Sequence, residues 1–278
     1  MKRRFHQVDV FTAVPLKGNP LAVVHAAQGL ATATMAAFAR WTNLSETTFL
    51  LPPEEPAADY RVRIFTPGGE LPFAGHPTLG SCWAWLAAGG RPRNAAEVVQ
   101  ECGVGLVRVR RDGARLAFAA PPLRRSGPLP EADVVHIARG LGLARRDIVA
   151  VAWCDNGPAW RAVLLASAAQ VLAVRPDASL LGDIELGLVG PHPAGSECAF
   201  EVRALYPVPS GLIEDPVTGS LNAGVAQWLI GAGLAPASYV AAQGAALGRA
   251  GRVHVSQEGA DIWIGGDVVA CVDGQVVL

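Results

Sequence analysis

This 278-residue sequence predicts an α+β fold of two similar halves, each a strongly curved sheet wrapped round one central helix. The first reason is an internal repeat. Glu70–Leu86 returns as Glu214–Ile230 at an offset of 144 positions, aligning Glu70 with Glu214, Pro72 with Pro216, Gly75 with Gly219 and Gly80 with Gly224. The second is length, which is long for one core and suits two domains of roughly 140 residues. The third is the spacing of apolar residues, which gives many short strands and one long apolar helix in each half. The regular strand–helix alternation of a doubly wound α/β sheet is missing.

Taken in order, Phe5–Phe11 alternates as a first strand, with Val8, Val10 and Thr12 set against Gln7, Asp9 and Phe11. Gly18-Asn19-Pro20 reads as a turn before a short strand, Leu21–Val24. Met35, Phe38, Trp41 and Leu44 fall three apart and predict a helix from Thr32 to about Asn43. Leu44–Pro52 follows as a strand with Glu46 near its start, and Tyr60–Thr66 alternates strictly before Pro67-Gly68-Gly69 ends it. The first repeat copy predicts a helix from His76 to Ala88, stopped by Gly89-Gly90. Strands at 97–102, 106–111 and 115–119 close the half. The proline-rich run 121–130 reads as a linker.

The second half predicts helices at 132–141 and 168–174, and strands at 148–153, 161–166, around Gly187 and at 200–206. Pro207 is expected to end that last strand, with a longer loop leading to Glu214. Beyond the second copy, strands are expected at 239–243, 252–256, 261–264, 268–272 and 275–278. The resulting division is 1–120, completed by the C-terminal strand near 268–278, and 121–267, with one site expected in the cleft between the halves.

Composition narrows the function classes. At 51% apolar and 17% charged, the chain can bury two cores. A formal net charge of −1 offers no basic surface for nucleic acid or anionic lipid. Asp9 interrupts any N-terminal signal run, and the most apolar stretches are too broken to span a membrane. Cys82, Cys102, Cys154, Cys198 and Cys271 show neither zinc spacing nor a disulfide pattern. The expectation is a soluble cytoplasmic protein with reduced thiols and no metal.

The chemistry concentrates at the two helix starts. Pro77 is placed at a first helical position, Ser220 is a good N-cap type, and a glycine precedes each polar residue. Exposed amides and the helix dipole make such starts carboxylate or phosphate sites, although they equally serve as plain caps. The recurrence favours a site for one small anionic molecule. Asp215 is either a turn residue or a carboxylate that orients His76 and raises its pKa; His76 is either a capping or core histidine or a proton-transfer group. Glu46, beside Leu44 and Phe49-Leu50-Leu51, is either an exposed strand-edge residue or a carboxyl buried at a strand start, where burial would raise its pKa and let it act as acid or base. Glu70 and Glu214, matching across the repeat, read as structural. No thiol stands at either helix start, so a two-cysteine racemase is disfavoured.

Several motifs together resemble the phenazine-biosynthesis isomerases (the PhzF-like proteins) of the diaminopimelate-epimerase-like fold. They are Val8–Thr12, Gly18–Val23, Asn43–Phe49, Arg63–Pro67, Glu70–Gly80, Asn156-Gly157-Pro158 and Glu214–Ser220, which together cover most of the chain. The resemblance implies a β-barrel around a central helix in each half, a homodimer and no cofactor. It also implies isomerisation of trans-2,3-dihydro-3-hydroxyanthranilate or of a related small carboxylate. Carried over, the catalytic set is Glu46, His76 and Asp215, and the substrate-binding set is Gly75, Gly219, Ser220 and Asn19. The alternatives are a cysteine-independent racemase or epimerase of an amino or hydroxy acid, and a non-catalytic small-molecule binding protein.

Overall fold

The computed structural model describes residues 1–278 and divides the chain into two compact units, Met1–Ala119 with Gly265–Leu278, and Ala120–Ile264. In chain order the first unit contains β1 (Lys2–Val10), β2 (Asn19–Val24), α1 (Thr32–Thr42), β3 (Glu46–Leu51), β4 (Tyr60–Thr66), β5 (Gly69–Leu71), α2 (Gly75–Ala87), β6 (Glu97–Cys102), β7 (Gly105–Asp112) and β8 (Arg115–Ala119). The second contains β9 (Arg125–Pro128), α3 (Glu131–Gly140), β10 (Ile148–Asp155), β11 (Arg161–Leu165), α4 (Ala168–Ala173), α5 (Ala178–Leu181), β12 (Leu186–Pro191), β13 (Phe200–Val208), β14 (Gly211–Asp215), α6 (Gly219–Gly231), β15 (Ser238–Gln243) and β16 (Gly251–Glu258). β17 (Asp261–Gly266) ends it, and β18 (Val268–Val277) returns to the first unit.

The two units use one strand plan. In the first, β1 pairs antiparallel with β18 and β2, β2 parallel with β3, β3 antiparallel with β4, β4 with β5 as a hairpin, and β4 parallel with β6. In the second, β10 pairs antiparallel with β9 and β11, β11 parallel with β12, β12 antiparallel with β13, β13 with β14 as a hairpin, and β13 parallel with β15. Each last parallel pair needs a crossover, supplied by α2 and by α6. α2 is packed against β1, β2, β3, β6, β7, β8 and β18, so the first sheet wraps round it. An unbroken run from Gly75 to Cys82 is buried, as an almost wholly enclosed helix requires. A Cβ on Gly80 would lie 2.5 Å from a Leu21 methyl, and one on Gly224 of α6 would lie 2.7 Å from the Cys154 carbonyl oxygen. The matched glycines let each helix lie against its sheet.

Where structure and expectation differ, local pairing explains the difference. Pro207 does not end its strand: β13 runs to Val208 with Pro207 opposite Leu212, and Pro209 stands in the turn where Pro67 stands in the first hairpin. The approach to Glu214 is therefore β14, not a loop. The second hairpin is longer, pairing from Ala204 to Val208 where the first pairs from Ile64 to Thr66. The added pairs move the repeat from an offset of 140, seen in Leu21 with Glu46 against Arg161 with Leu186, to 144 at the helices. The proline-rich run holds a strand, since Arg125–Pro128 pairs with Asp155–Ala152. The strands expected at 268–272 and 275–278 are one, because β18 continues through Gly274, opposite Phe5. In α1, Met35 and Phe38 are buried against Phe49 and Phe65, whereas Trp41 is 79% exposed and lies outside the apolar stripe.

Candidate active site

The Asn43-Leu44-Ser45-Glu46 segment is a helix stop followed at once by a strand. Asn43 ends α1 in the left-handed conformation (φ 54°, ψ 29°), which asparagine tolerates, and its N–H bonds to the Ala39 carbonyl. The chain thus reverses within two residues and delivers Glu46 as the first residue of β3, beside Leu21. Because side chains alternate along strands, Asn19, Leu21, Glu46 and Thr48 share one face. That face meets α2: Leu21 touches the Gly80 position, and the Ser81 hydroxyl bonds the Thr48 hydroxyl at 2.9 Å. Asn19 is fully buried at the start of β2.

α2 starts one residue earlier than expected. Ala74 is the N-cap, Gly75 and His76 are the first two helical residues, and Pro77 is third, not first. His76 Nε2 lies 3.4 Å from Glu46 Oε2, with side-chain exposures of 6% and 15%. The nitrogen is buried without a hydrogen bond in this geometry. Burial pushes the His76 pKa down to about 3, so the imidazole is neutral near pH 7. The shift is opposite to the rise expected of His76 oriented by Asp215, and its cause is desolvation by burial. The arrangement is a half-buried carboxyl group beside a neutral imidazole, a pair able to exchange a proton with a bound molecule.

A polar chain that gave no signal in the sequence sets the α2 start. Tyr60 O–H donates to Gln100 Oε1 (2.8 Å), Gln100 Nε2 donates to Thr78 Oγ1 (3.0 Å), and Thr78 O–H donates to the Ala74 carbonyl (2.9 Å). All three side chains are buried, and every donor points toward the residue before Gly75-His76.

In the second unit, Asp215 ends β14, Thr218 caps α6, and Gly219 and Ser220 are its first two residues. Ser220 is therefore inside the helix and is not the cap. Its hydroxyl accepts from Trp160 Nε1 (3.0 Å), and its carbonyl accepts from Asn156 Nδ2 (2.8 Å). Asn156 falls in the Asn-Gly-Pro segment, while Trp160 carried no sequence signal. The Asn222 N–H makes the first intrahelical bond, to the Thr218 carbonyl, which leaves the amides of Gly219, Ser220 and Leu221 without helical acceptors. In α2 the same place holds Pro77, so only Gly75 and His76 have such amides. The α6 start therefore presents one more such amide than the α2 start.

The matched glutamates are structural, as expected. Arg63 grips Glu70 through Nε and Nη2 at 2.7 and 2.6 Å, and Arg203 grips Glu214 through Nη2 at 2.8 Å. Each arginine is two residues along its hairpin strand from the residue opposite the glutamate. The Glu46 position is not duplicated, since the residue opening β12 in matching register is Leu186.

The profile of the phenazine biosynthesis-like protein family matches residues 8–274. The chain belongs to that family. It is 32% identical to the trans-2,3-dihydro-3-hydroxyanthranilate isomerase of Pseudomonas aeruginosa, over 99% of this chain and 99% of that protein. It is 37% identical to an uncharacterised isomerase of Mesorhizobium japonicum, over 99% of both chains. A crystal structure of a phenazine biosynthesis protein of the PhzF family from Enterococcus faecalis superposes with a TM-score of 0.83 at 24% identity, covering 100% of each chain. The α+β fold is that of this family, and the protein is a phenazine biosynthesis-like isomerase. No helix is long and apolar enough to cross a membrane.

Proposed function

We propose that this isomerase moves a proton within a small cyclic or conjugated carboxylate without a cofactor, with Glu46 as the acid–base. The supporting observation is the approach of Glu46 Oε2 to His76 Nε2, 3.4 Å apart and largely buried. In this reading Glu46, as carboxylate, takes a proton from a carbon acidified by conjugation and returns it to another carbon on the same face. Neutral His76 then donates or accepts a hydrogen bond as charge develops on the substrate, and Asp215 assists. The amides of Gly219 and Ser220, with Gly75, hold the substrate carboxylate. Asn19, on the same strand face as Glu46, completes the substrate-binding set. The Pseudomonas aeruginosa relative makes trans-2,3-dihydro-3-hydroxyanthranilate the first substrate to test. A homodimer in the cytoplasm completes the proposal.

Thiol chemistry fits less well. Burial pushes the Cys82 thiol far up and the Cys154 thiol up to about 12, so neither is a thiolate near neutral pH. The decisive experiment is Glu46→Gln assayed in D₂O. Turnover and deuterium incorporation should fall at least a thousandfold, with the fold intact by circular dichroism. Wild-type exchange in Glu46→Gln would remove Glu46 from the reaction. Deuterium entering at a stereocentre with no shifted double bond would identify an epimerase.

A further inference from the structure

The first turn of α6 is held by one side chain that the proposed chemistry does not use. Gln243, 1% exposed at the end of β15, makes four hydrogen bonds. Its Oε1 accepts from Thr218 N–H (3.0 Å) and Asn222 Nδ2 (2.8 Å). Its Nε2 donates to Thr218 Oγ1 (2.9 Å) and to the Asp215 carbonyl (3.2 Å). These use both acceptor and both donor places of the amide, so its orientation is fixed: turned over, it would face two donors with a donor. Thr218 Oγ1 accepts a hydrogen bond from Gln243 Nε2 and donates its own hydroxyl hydrogen to Asp215 Oδ2. The result is a one-way relay from Gln243 through Thr218 to the Asp215 carboxylate.

We infer that Gln243 is a positioning residue that sets the Asp215 carboxylate through Thr218, while its other contacts lock the start of α6. The inference rests on Asp215 being a group that meets the substrate. The first unit carries a comparable device, in which Gln100, on the strand following α2, directs the Thr78 hydroxyl to the carbonyl before Gly75. Two buried glutamines from the strand after each helix, each governing a hydroxyl at a helix start, mark a built arrangement. In the second unit that hydroxyl ends on a carboxylate, and there it orients a reactive group.

Gln243→Glu keeps shape and acceptors but removes both donors. The Thr218 hydroxyl must then turn its proton toward position 243, and Asp215 Oδ2 loses the hydrogen bond from Thr218. Thr218→Val removes the hydroxyl at constant shape. Each variant should lower kcat about tenfold with KM within about twofold, the cost of one hydrogen bond to a charged group. Because both act on one relay, the double variant should be no slower than the slower single, and Thr218→Ser should recover most of the rate lost in Thr218→Val. Crystals of Gln243→Glu should show the Asp215 carboxylate rotated with α6 in place. A double variant near a hundredfold down, or an Asp215 carboxylate unmoved in those crystals, would overturn the inference. Glu46→Gln run alongside separates the two ideas: wild-type turnover there sinks the acid–base reading, while the Asp215 position in Gln243→Glu crystals still decides this one.

Discussion

His76 should make the protein sensitive to mild acid, and the size of the effect follows from its burial. In the unfolded chain the imidazole takes up a proton near its ordinary value of 6.5, whereas in the folded protein burial delays this to about 3. The unfolded state therefore binds more protons throughout the window from 6.5 to 3, and stability falls as pH falls through it. Above 6.5 both states are neutral and nothing is lost. Each pH unit within the window costs about 1.4 kcal/mol, so passing from pH 7 to pH 5 costs about 2 kcal/mol through this side chain alone. His25, lowered to about 4 mainly by burial, acts in the same direction. The comparison that isolates His76 is wild type against His76→Gln, unfolded in urea at pH 7, 6 and 5. Wild type should lose about 2 kcal/mol more than the variant over that range. Parallel pH dependences would show that His76 protonates as easily folded as unfolded, and the argument from burial would fail.

The two arginine–glutamate pairs should differ in weight. Arg203→Met leaves Glu214 buried without its partner and should cost about 3–5 kcal/mol in urea unfolding, while Arg63→Met, at a more exposed pair, should cost about 1 kcal/mol or less. Gly224→Ala should lower the melting temperature more than Gly80→Ala, since its added methyl meets a backbone carbonyl and the other meets only side-chain methyls, of Leu21, Val10 and Val8. An overpacking cost of about 1–3 kcal/mol corresponds to roughly 2–10 °C for Gly224→Ala, and equal melting temperatures would refute the distinction. Trp160→Phe removes the donor to the Ser220 hydroxyl and should raise KM a few-fold with kcat little changed, as steady-state kinetics would show.

Much of this was legible because the relevant signals are local or repeated. Strict alternation marked Tyr60–Thr66 without error, and a shared offset exposed both central helices. The asparagine that stops α1 and the glutamate that starts β3 are three residues apart, so their motif could be read directly. The pairing of Glu46 with His76 needed the α2 crossover, which the repeat implied but did not measure. What stayed hidden depends on distant partners or on too few residues. Gly69–Leu71 is too short to show alternation, and Gly274 hid the continuity of β18 because only pairing with β1 carries the strand through it. Gln100, Trp160 and Gln243 looked like ordinary residues, since their partners lie 22, 60 and 25 positions away.

The return of β18 to the first unit bears on how the protein is made. On a ribosome, β1 is made more than 250 residues before β18, so β1 carries one unpaired edge until β18 emerges. The second unit has no such wait, because its strand beside β10 is β9, made just beforehand. The later-encoded unit can therefore complete its sheet first, while the earlier one holds an open edge exposed to neighbouring chains. Deleting Val268–Val277 should leave the second unit folded and turn the first into a source of aggregation.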